Sequence, residues 1–188
     1  MANTLSNMLP LRTKAPDFSL PNTRNGELVA LQDMKGKKGT VIMFICNHCP
    51  FVLHVNKEIV RIANFYLKKG IGFAAISSND AVKYPQDGPE NMRLHAENEN
   101  YPFPYLYDES QAIAKAYDAA CTPDFFLFDA NLELIYRGQL DDSRPGNDVP
   151  VTGHHLRHAL DCLLSNRENT TIQKPSIGCN IKWKLQKL

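Results

Sequence analysis

The stretch Thr40-Val41-Ile42-Met43-Phe44-Ile45-Cys46-Asn47-His48-Cys49-Pro50 decides the fold. Its first six residues are an unbroken apolar, β-branched run, the pattern of a strand buried on both faces. After a polar break, Val52, Val55, Ile59, Ile62 and Tyr66 recur at helical spacing, and Pro50 suits a first helical position. Lys68 and Lys69 give a cationic last turn and Gly70 a stop. Residues 71–77 read as the next buried strand. Strand, helix and strand over residues 40–77 therefore predict a right-handed βαβ unit with a parallel strand pair.

Upstream, Phe18-Ser19-Leu20 and Leu28-Val29-Ala30-Leu31 flank a turn that ends in Asn25-Gly26, which predicts a hairpin. Downstream, residues 79–104 are polar and proline-rich, with room for a short helix over 89–97. A second helix is expected over 111–120. Strands over 125–128 and 132–136 surround an Asp129-Ala130-Asn131 turn, and a last helix runs over 154–164, capped by Thr152. The pattern predicts an α/β sandwich with a mixed central sheet. Residues 1–14 are expected as a surface arm, 15–165 as the domain, and 166–188 as a tail packed on it.

The chain has 188 residues, and 21 Lys+Arg against 20 Asp+Glu leave a net charge of +1. That balance argues against a nucleic-acid domain as the main theme. No run approaches the ~18 apolar residues of a membrane helix, and the first twenty residues lack a secretory pattern. No nucleic-acid or membrane partner is expected. Five cysteines, an odd number, do not suit a secreted disulfide scaffold. The expected location is the cytoplasm, with the thiols reduced by default.

Cys46 and Cys49 are spaced to close a small disulfide ring where a buried strand gives way to a helix. A helix N-terminus stabilises a thiolate by partial positive charge and unpaired N–H groups. Cys46, at the lip, is expected to be the more exposed and acidic thiol and hence the nucleophile, and Cys49 the resolving thiol. His48, when protonated, would favour the thiolate and make the couple more oxidising. Half of a zinc site and two inert core thiols are the competing readings. The second Cys-x-x-Cys that would mark zinc is missing.

Five segments together resemble the thioredoxin superfamily, in its peroxiredoxin-like redoxin branch of the alkyl hydroperoxide reductase/thiol-specific antioxidant type. They are Ala15-Pro16-Asp17-Phe18-Ser19-Leu20 with Gly26 and Leu31; Cys46-Asn47-His48-Cys49-Pro50-Phe51-Val52; Cys121-Thr122-Pro123-Asp124; Gly138-Gln139-Leu140-Asp141-Asp142-Ser143; and Gly178-Cys179-Asn180-Ile181-Lys182-Trp183. The resemblance implies a thioredoxin-like three-layer α/β/α sandwich with an N-terminal β-hairpin. It makes Cys46 the attacking thiol and Cys49 the resolving thiol. It also makes Thr122-Pro123 a cis-proline loop facing the disulfide, whose backbone pairs with an extended substrate.

The departures matter. The peroxiredoxin pattern Pro-x-x-x-Thr-x-x-Cys meets Ile42, Cys46 and Cys49 here. Pro50 does match the proline after the peroxidatic cysteine, but no arginine stands near Thr122-Pro123. The donors that activate a peroxide O–O bond are therefore missing. Thioredoxin itself fits poorly too, since Ile45 replaces its tryptophan and residues 40–45 carry no acid. The expected activity is thiol–disulfide exchange through a mixed disulfide, without cofactor, on protein or small-molecule disulfides with a thiol reductant. The alternative is a thiol peroxidase with Cys49 peroxidatic and Cys46 resolving. A third reading is a metal- or partner-binding module without redox work.

Cys121 and Cys179 remain candidate auxiliary thiols, in a relay with the primary pair or as packing groups. Cys162 reads as packing. His154, His155 and His158 read as a solvated helix start, and no metal is expected. Residues 141–145 read as a polar turn with an Arg144–Asp pair, and Trp183 as an anchor for the tail.

Overall fold

The structure, a computed structural model, describes residues 3–185. Strands β1 (Asn3–Leu5), β2 (Ser19–Pro21) and β3 (Leu28–Ala30) precede a one-turn helix α1 (Leu31–Met34). Then come β4 (Gly39–Phe44), α2 (Pro50–Leu67), β5 (Ile71–Ser77), α3 (Pro89–Asn98), β6 (Tyr105–Tyr107) and α4 (Ala112–Ala116). The chain closes with β7 (Cys121–Thr122), β8 (Asp124–Asp129), β9 (Leu134–Gly138), α5 (His154–Leu164) and β10 (Ile177–Asn180).

The central sheet has the order β6-β5-β4-β8-β9, with β4, β5 and β6 parallel and β8 and β9 antiparallel to their neighbours. It is the mixed sheet that the residue pattern predicts, held between helices on both faces. Strand alternation sorts the core. Val41, Met43 and Ile45 join Val52, Val55, Ile59 and Leu160 of α2 and α5 on one side. Ile42 and Phe44 join Phe18, Leu31 and Tyr117 on the other. Burying each such side chain contributes roughly 1.5–3 kcal/mol, which is why the 40–45 run had no polar face to offer.

The hairpin is present as β2 and β3, with Ser19 opposite Ala30, but Leu31 opens a helical turn instead of extending the strand. Four strands went unread in the sequence, among them Asn3–Leu5 in the expected arm and the two-residue Cys121–Thr122. Tyr105–Tyr107 is too short, between Pro104 and Asp108, to show a period. Ile177–Asn180 lies in the segment expected to be a tail packed on the domain, with no strand read in it. There β10 pairs with β1 on one side and β7 on the other, so both chain ends share a second, three-stranded sheet. The far ends of the arm and tail, residues 1–2 and 186–188, lie outside the described residues.

Three local expectations are corrected. Thr152 does not cap α5. Gly153 occupies the cap position at φ +66°, and the Asp141 carboxylate accepts the N–H groups of Thr152 (2.7 Å), Gly153 (2.6 Å) and Ser143 (2.9 Å). A carboxylate here satisfies unpaired N–H groups and opposes the helix dipole. Arg144 donates to backbone oxygens of Asp141 and Ser143 and to Gln139, and it makes no carboxylate pair. Trp183 is 39% exposed with Lys115 Nζ of α4 5.8 Å over its ring, and the tail is held mainly through buried Ile181 and the backbone of Lys182.

Candidate active site

Helix α2 begins at Pro50, so Cys49 is its N-cap residue, and the Val52 and Leu53 N–H groups donate to the Cys49 carbonyl at 3.0 Å each. Cys46 lies three residues earlier, on the loop leaving β4. Both cysteines are reduced and buried, at 1% and 0% exposure. The Thr122–Pro123 peptide bond is cis, and Thr122 touches both sulfurs. Its hydroxyl lies 3.4 Å from Cys46 Sγ, and its carbonyl oxygen lies 3.2 Å from Cys49 Sγ.

The two thiols are not equivalent. Hydrogen bonding from Cys46 lowers the Cys49 pKa, against the pull of burial. The Cys179 thiol and the N–H groups of Val52 and Cys179 add to that effect, to about 5. Burial and the Thr122 carbonyl, as an acceptor of its proton, favour the Cys49 thiol, and the donors outweigh them. Donation to Cys49 holds the Cys46 thiol well above its ordinary value. Burial and the Asp87 charge push it the same way, while the Thr122 hydroxyl opposes them. This reverses the expectation that Cys46 would be exposed and acidic. With Pro50 as the first helical residue, the helix terminus acts on Cys49.

A His48 ring nitrogen lies within 4.8 Å of Cys46 Sγ, but the ring pairs with Asp87. The His48 Nδ1 lies 2.6 Å from Asp87 Oδ2, and its ring stacks on Tyr84 at 5.7 Å with an interplanar angle of 1°. Asp87 is fully buried and also accepts from the Asn47 N–H (2.9 Å) and Asn79 Nδ2 (2.8 Å). The charge that raises the Cys46 pKa is the negative one of Asp87, the carboxylate that His48 pairs with. Residues 79–88, which read as an interruption, fold against the Cys46–Cys49 loop and carry these groups.

The Thr122-Pro123 loop also departs from expectation. Its backbone edge is not open to an extended substrate, because β10 already pairs with β7, with Cys179 opposite Thr122 and Asn180 opposite Cys121. Gly178 makes this possible. A Cβ there would stand 1.9 Å from the Thr122 carbonyl oxygen. Cys179 reaches Cys49, and burial followed by donation to Cys49 raises its pKa to about 12. Cys121 turns its sulfur to the Pro123 carbonyl at 3.7 Å, and burial raises its pKa.

A family model described as Redoxin matches residues 11–156. The chain belongs to the Redoxin family. It is 60% identical to an uncharacterized conserved protein from Geobacillus kaustophilus, over 100% of this chain and 99% of that one, with a TM-score of 0.98. A hypothetical protein from Sinorhizobium meliloti 1021 is 46% identical over 96% of this chain and 98% of its own, with a TM-score of 0.94. The thioredoxin domain of a thiol-disulfide oxidoreductase from Bacteroides vulgatus shares the fold, at 18% identity, 71% and 91% coverage and a TM-score of 0.60. Among curated proteins, none matches the chain. Family and fold together support a redox function.

This redoxin has a buried acid that sequence reasoning placed nowhere. Asp124 follows the cis-proline on β8, pairs with Phe44 across the sheet, and is driven by burial far above the carboxylate range. The signal was an acid set between Pro123 and the apolar run 125–128. Two groups of potential metal donors occur among the described residues: Cys46 with His48 and Asp87, and Asp142 with His154 and His155. In the first, a metal would have to displace the proton that Cys46 holds. In the second, Lys174 Nζ and Gln139 Nε2 occupy Asp142 Oδ1 at 2.8 Å each, while Oδ2 faces His154 and His155 at 3.6 and 3.9 Å. His158 Nε2 lies 3.5 Å from Cys162 Sγ. Among the described residues, no helix is long and apolar enough to cross a membrane.

Proposed function

We propose that this redoxin is a thiol–disulfide oxidoreductase working through the Cys46–Cys49 dithiol, with Cys49 as the attacking thiolate and Cys46 as the resolving thiol. One observation carries the reading: Cys49 is the N-cap residue of α2, hydrogen bonding from Cys46 lowers its pKa, and Thr122 contacts both sulfurs. The Cys49 thiolate attacks a substrate disulfide, forms a mixed disulfide and expels one substrate thiolate. Cys46, on losing its proton, attacks Cys49 Sγ and releases the second thiolate, closing the Cys46–Cys49 disulfide. The substrate gains two electrons, and a thiol reductant restores the pair. A reducing compartment such as the cytoplasm suits such a cycle. Both sulfurs are buried, so substrate enters as residues 79–88 or β10 move aside.

The acidity of Cys49, followed by Pro50, would equally suit attack on a peroxide. The groups that set the charge at the two sulfurs are each other, Cys179, Thr122, Asp87 and backbone N–H groups. No arginine is among them, and Thr122 offers its hydroxyl to Cys46. That leaves the peroxide O–O bond without its donors and favours disulfide exchange.

Insulin-type disulfide reduction tests the assignment. Cys49→Ser is expected to lower the rate by roughly 10³-fold or more, and Cys46→Ser to accumulate mixed disulfides at Cys49. The reverse pattern would return the attack to Cys46. Rapid peroxide consumption with a sulfenate on Cys49 would replace exchange by peroxidase chemistry. A stoichiometric metal in protein purified without chelator would replace both.

A further inference from the structure

We infer that Cys179 is a second resolving thiol, able to close a disulfide with Cys49 in place of Cys46. The inference rests on the reading of Cys49 as the attacking sulfur. It starts from β10, which lies antiparallel on β7 along the edge beside cis-Pro123 where an extended peptide substrate would pair. The strand is seated closely, since Gly178 packs where any Cβ would collide with the Thr122 carbonyl. Its other edge is fixed by β1, and its end by the Asp80 N–H to the Lys182 carbonyl and the Lys182 N–H to Asn79 Oδ1. Cys179 stands opposite Thr122, whose two oxygens contact Cys46 and Cys49.

Strand alternation then selects between the two auxiliary thiols, because successive side chains point to opposite faces. Cys179 shares the apolar cluster of Cys46 and Cys49, is 2% exposed, and donates toward Cys49. Cys121, opposite Asn180, is directed at the Pro123 carbonyl. The tail thus offers the active sulfur a cysteine on an extended strand, in the way a protein substrate would.

The chemistry balances without an outside oxidant. Starting from the Cys46–Cys49 disulfide, the Cys179 thiolate attacks Cys49 Sγ. The Cys49–Cys179 bond forms as the Cys46–Cys49 bond breaks, and Cys46 takes up the proton that Cys179 lost. Starting from a mixed disulfide on Cys49, the same attack releases the substrate as a thiol.

The sequence gives a clear readout. Trypsin leaves Cys46 and Cys49 together in the peptide 39–57 and Cys179 in the peptide 168–182, because Lys174-Pro175 resists cleavage. Cys46→Ser protein is treated with oxidised glutathione, alkylated and digested. The expected result is that most of peptide 39–57 is cross-linked to 168–182, with glutathione released, and that adding Cys179→Ser leaves glutathione on Cys49. Cys49 that stays glutathionylated in the single variant, with Cys179 alkylated, overturns the inference. The wild type separates the two readings. If it gives peptide 39–57 lighter by two hydrogens while the variant stays glutathionylated, only the inference fails. If Cys49 forms no disulfide in either protein, both fail. Should Cys46→Ser not fold, Cys46→Ala takes its place.

Discussion

At the Phe44 end of the central sheet, Cys49 caps an eighteen-residue helix and is met by two more thiols and two backbone N–H groups. At the Gly39 end, Cys162 sits in the last turn of α5, near its C-terminus rather than an N-terminus, with His158 Nε2 3.5 Å from its sulfur. The second site is the more open. It borders a cleft of about 410 Å³ lined by Leu11, Arg12, Asp129, Leu134, Cys162 and Asn166, whereas both sulfurs of the first are buried. A cysteine, a histidine and a cleft together make less of a redox site than a closed cluster of sulfurs on a helix N-terminus. What separates the two ends is the number of donors aimed at one sulfur.

The largest effect expected from a single methyl group is at the sulfur end. Gly178→Ala places a carbon 1.9 Å from a backbone oxygen, so two strands must part. Overpacking of this kind costs roughly 3 kcal/mol, or about 6–12 °C in Tm for a domain of this size. Thermal unfolding of the reduced protein checks it. An unchanged Tm would mean that β10 is loosely held and that the contrast between the two ends is overstated.

Much of the contrast was legible in the chain itself. The 40–77 unit, the hairpin turn, the last helix and the Cys46–Cys49 pair each carry a local signal, a period or a spacing. The polarity of the pair was half legible. Pro50 as first helical residue already implied that Cys49, not Cys46, caps the helix, and the two expectations were in conflict. Asp87 and Asn79 were illegible for a different reason, and Cys179 was legible only as one of two candidate auxiliary thiols. They reach the site from residues 79–88 and 177–180, where no periodicity announces structure and where contacts form across more than thirty residues of chain. At the start of α5, likewise, tertiary contacts displaced Thr152: the Asp141 carboxylate takes the Thr152 and Gly153 N–H groups, and the Leu140 carbonyl takes those of His155 and Leu156.

The next test sharpens the sulfur end by its charge. Folded Cys49 has a pKa near 5 against an ordinary value of 9.0, so between those limits the unfolded chain binds more protons at this residue than the folded one. Its contribution to the stability of the reduced protein therefore grows as pH rises through that window and is lost as pH falls toward 5. The Tm difference between wild type and Cys49→Ser, both reduced, is expected to increase from pH 5 to pH 8. Asp124, whose pKa burial raises, has the opposite slope, but it is present in both proteins and cancels. A difference that is flat with pH would place the thiolate elsewhere.

The smallest effect belongs to the other end. Cys162 is 4% exposed, so Cys162→Ala removes a well-packed sulfur and costs about 1 kcal/mol, or about 2–4 °C in Tm. Disulfide exchange is expected to stay at the wild-type rate, because β4 runs its full length between the two sites and Cys162 touches neither Thr122 nor the Cys46–Cys49 loop. Insulin reduction by this variant, measured beside its Tm, weighs packing against chemistry. A loss of activity larger than the loss of stability explains would show that the two ends communicate. The cleft beside Cys162 would then have to enter the account of how substrate reaches buried sulfurs.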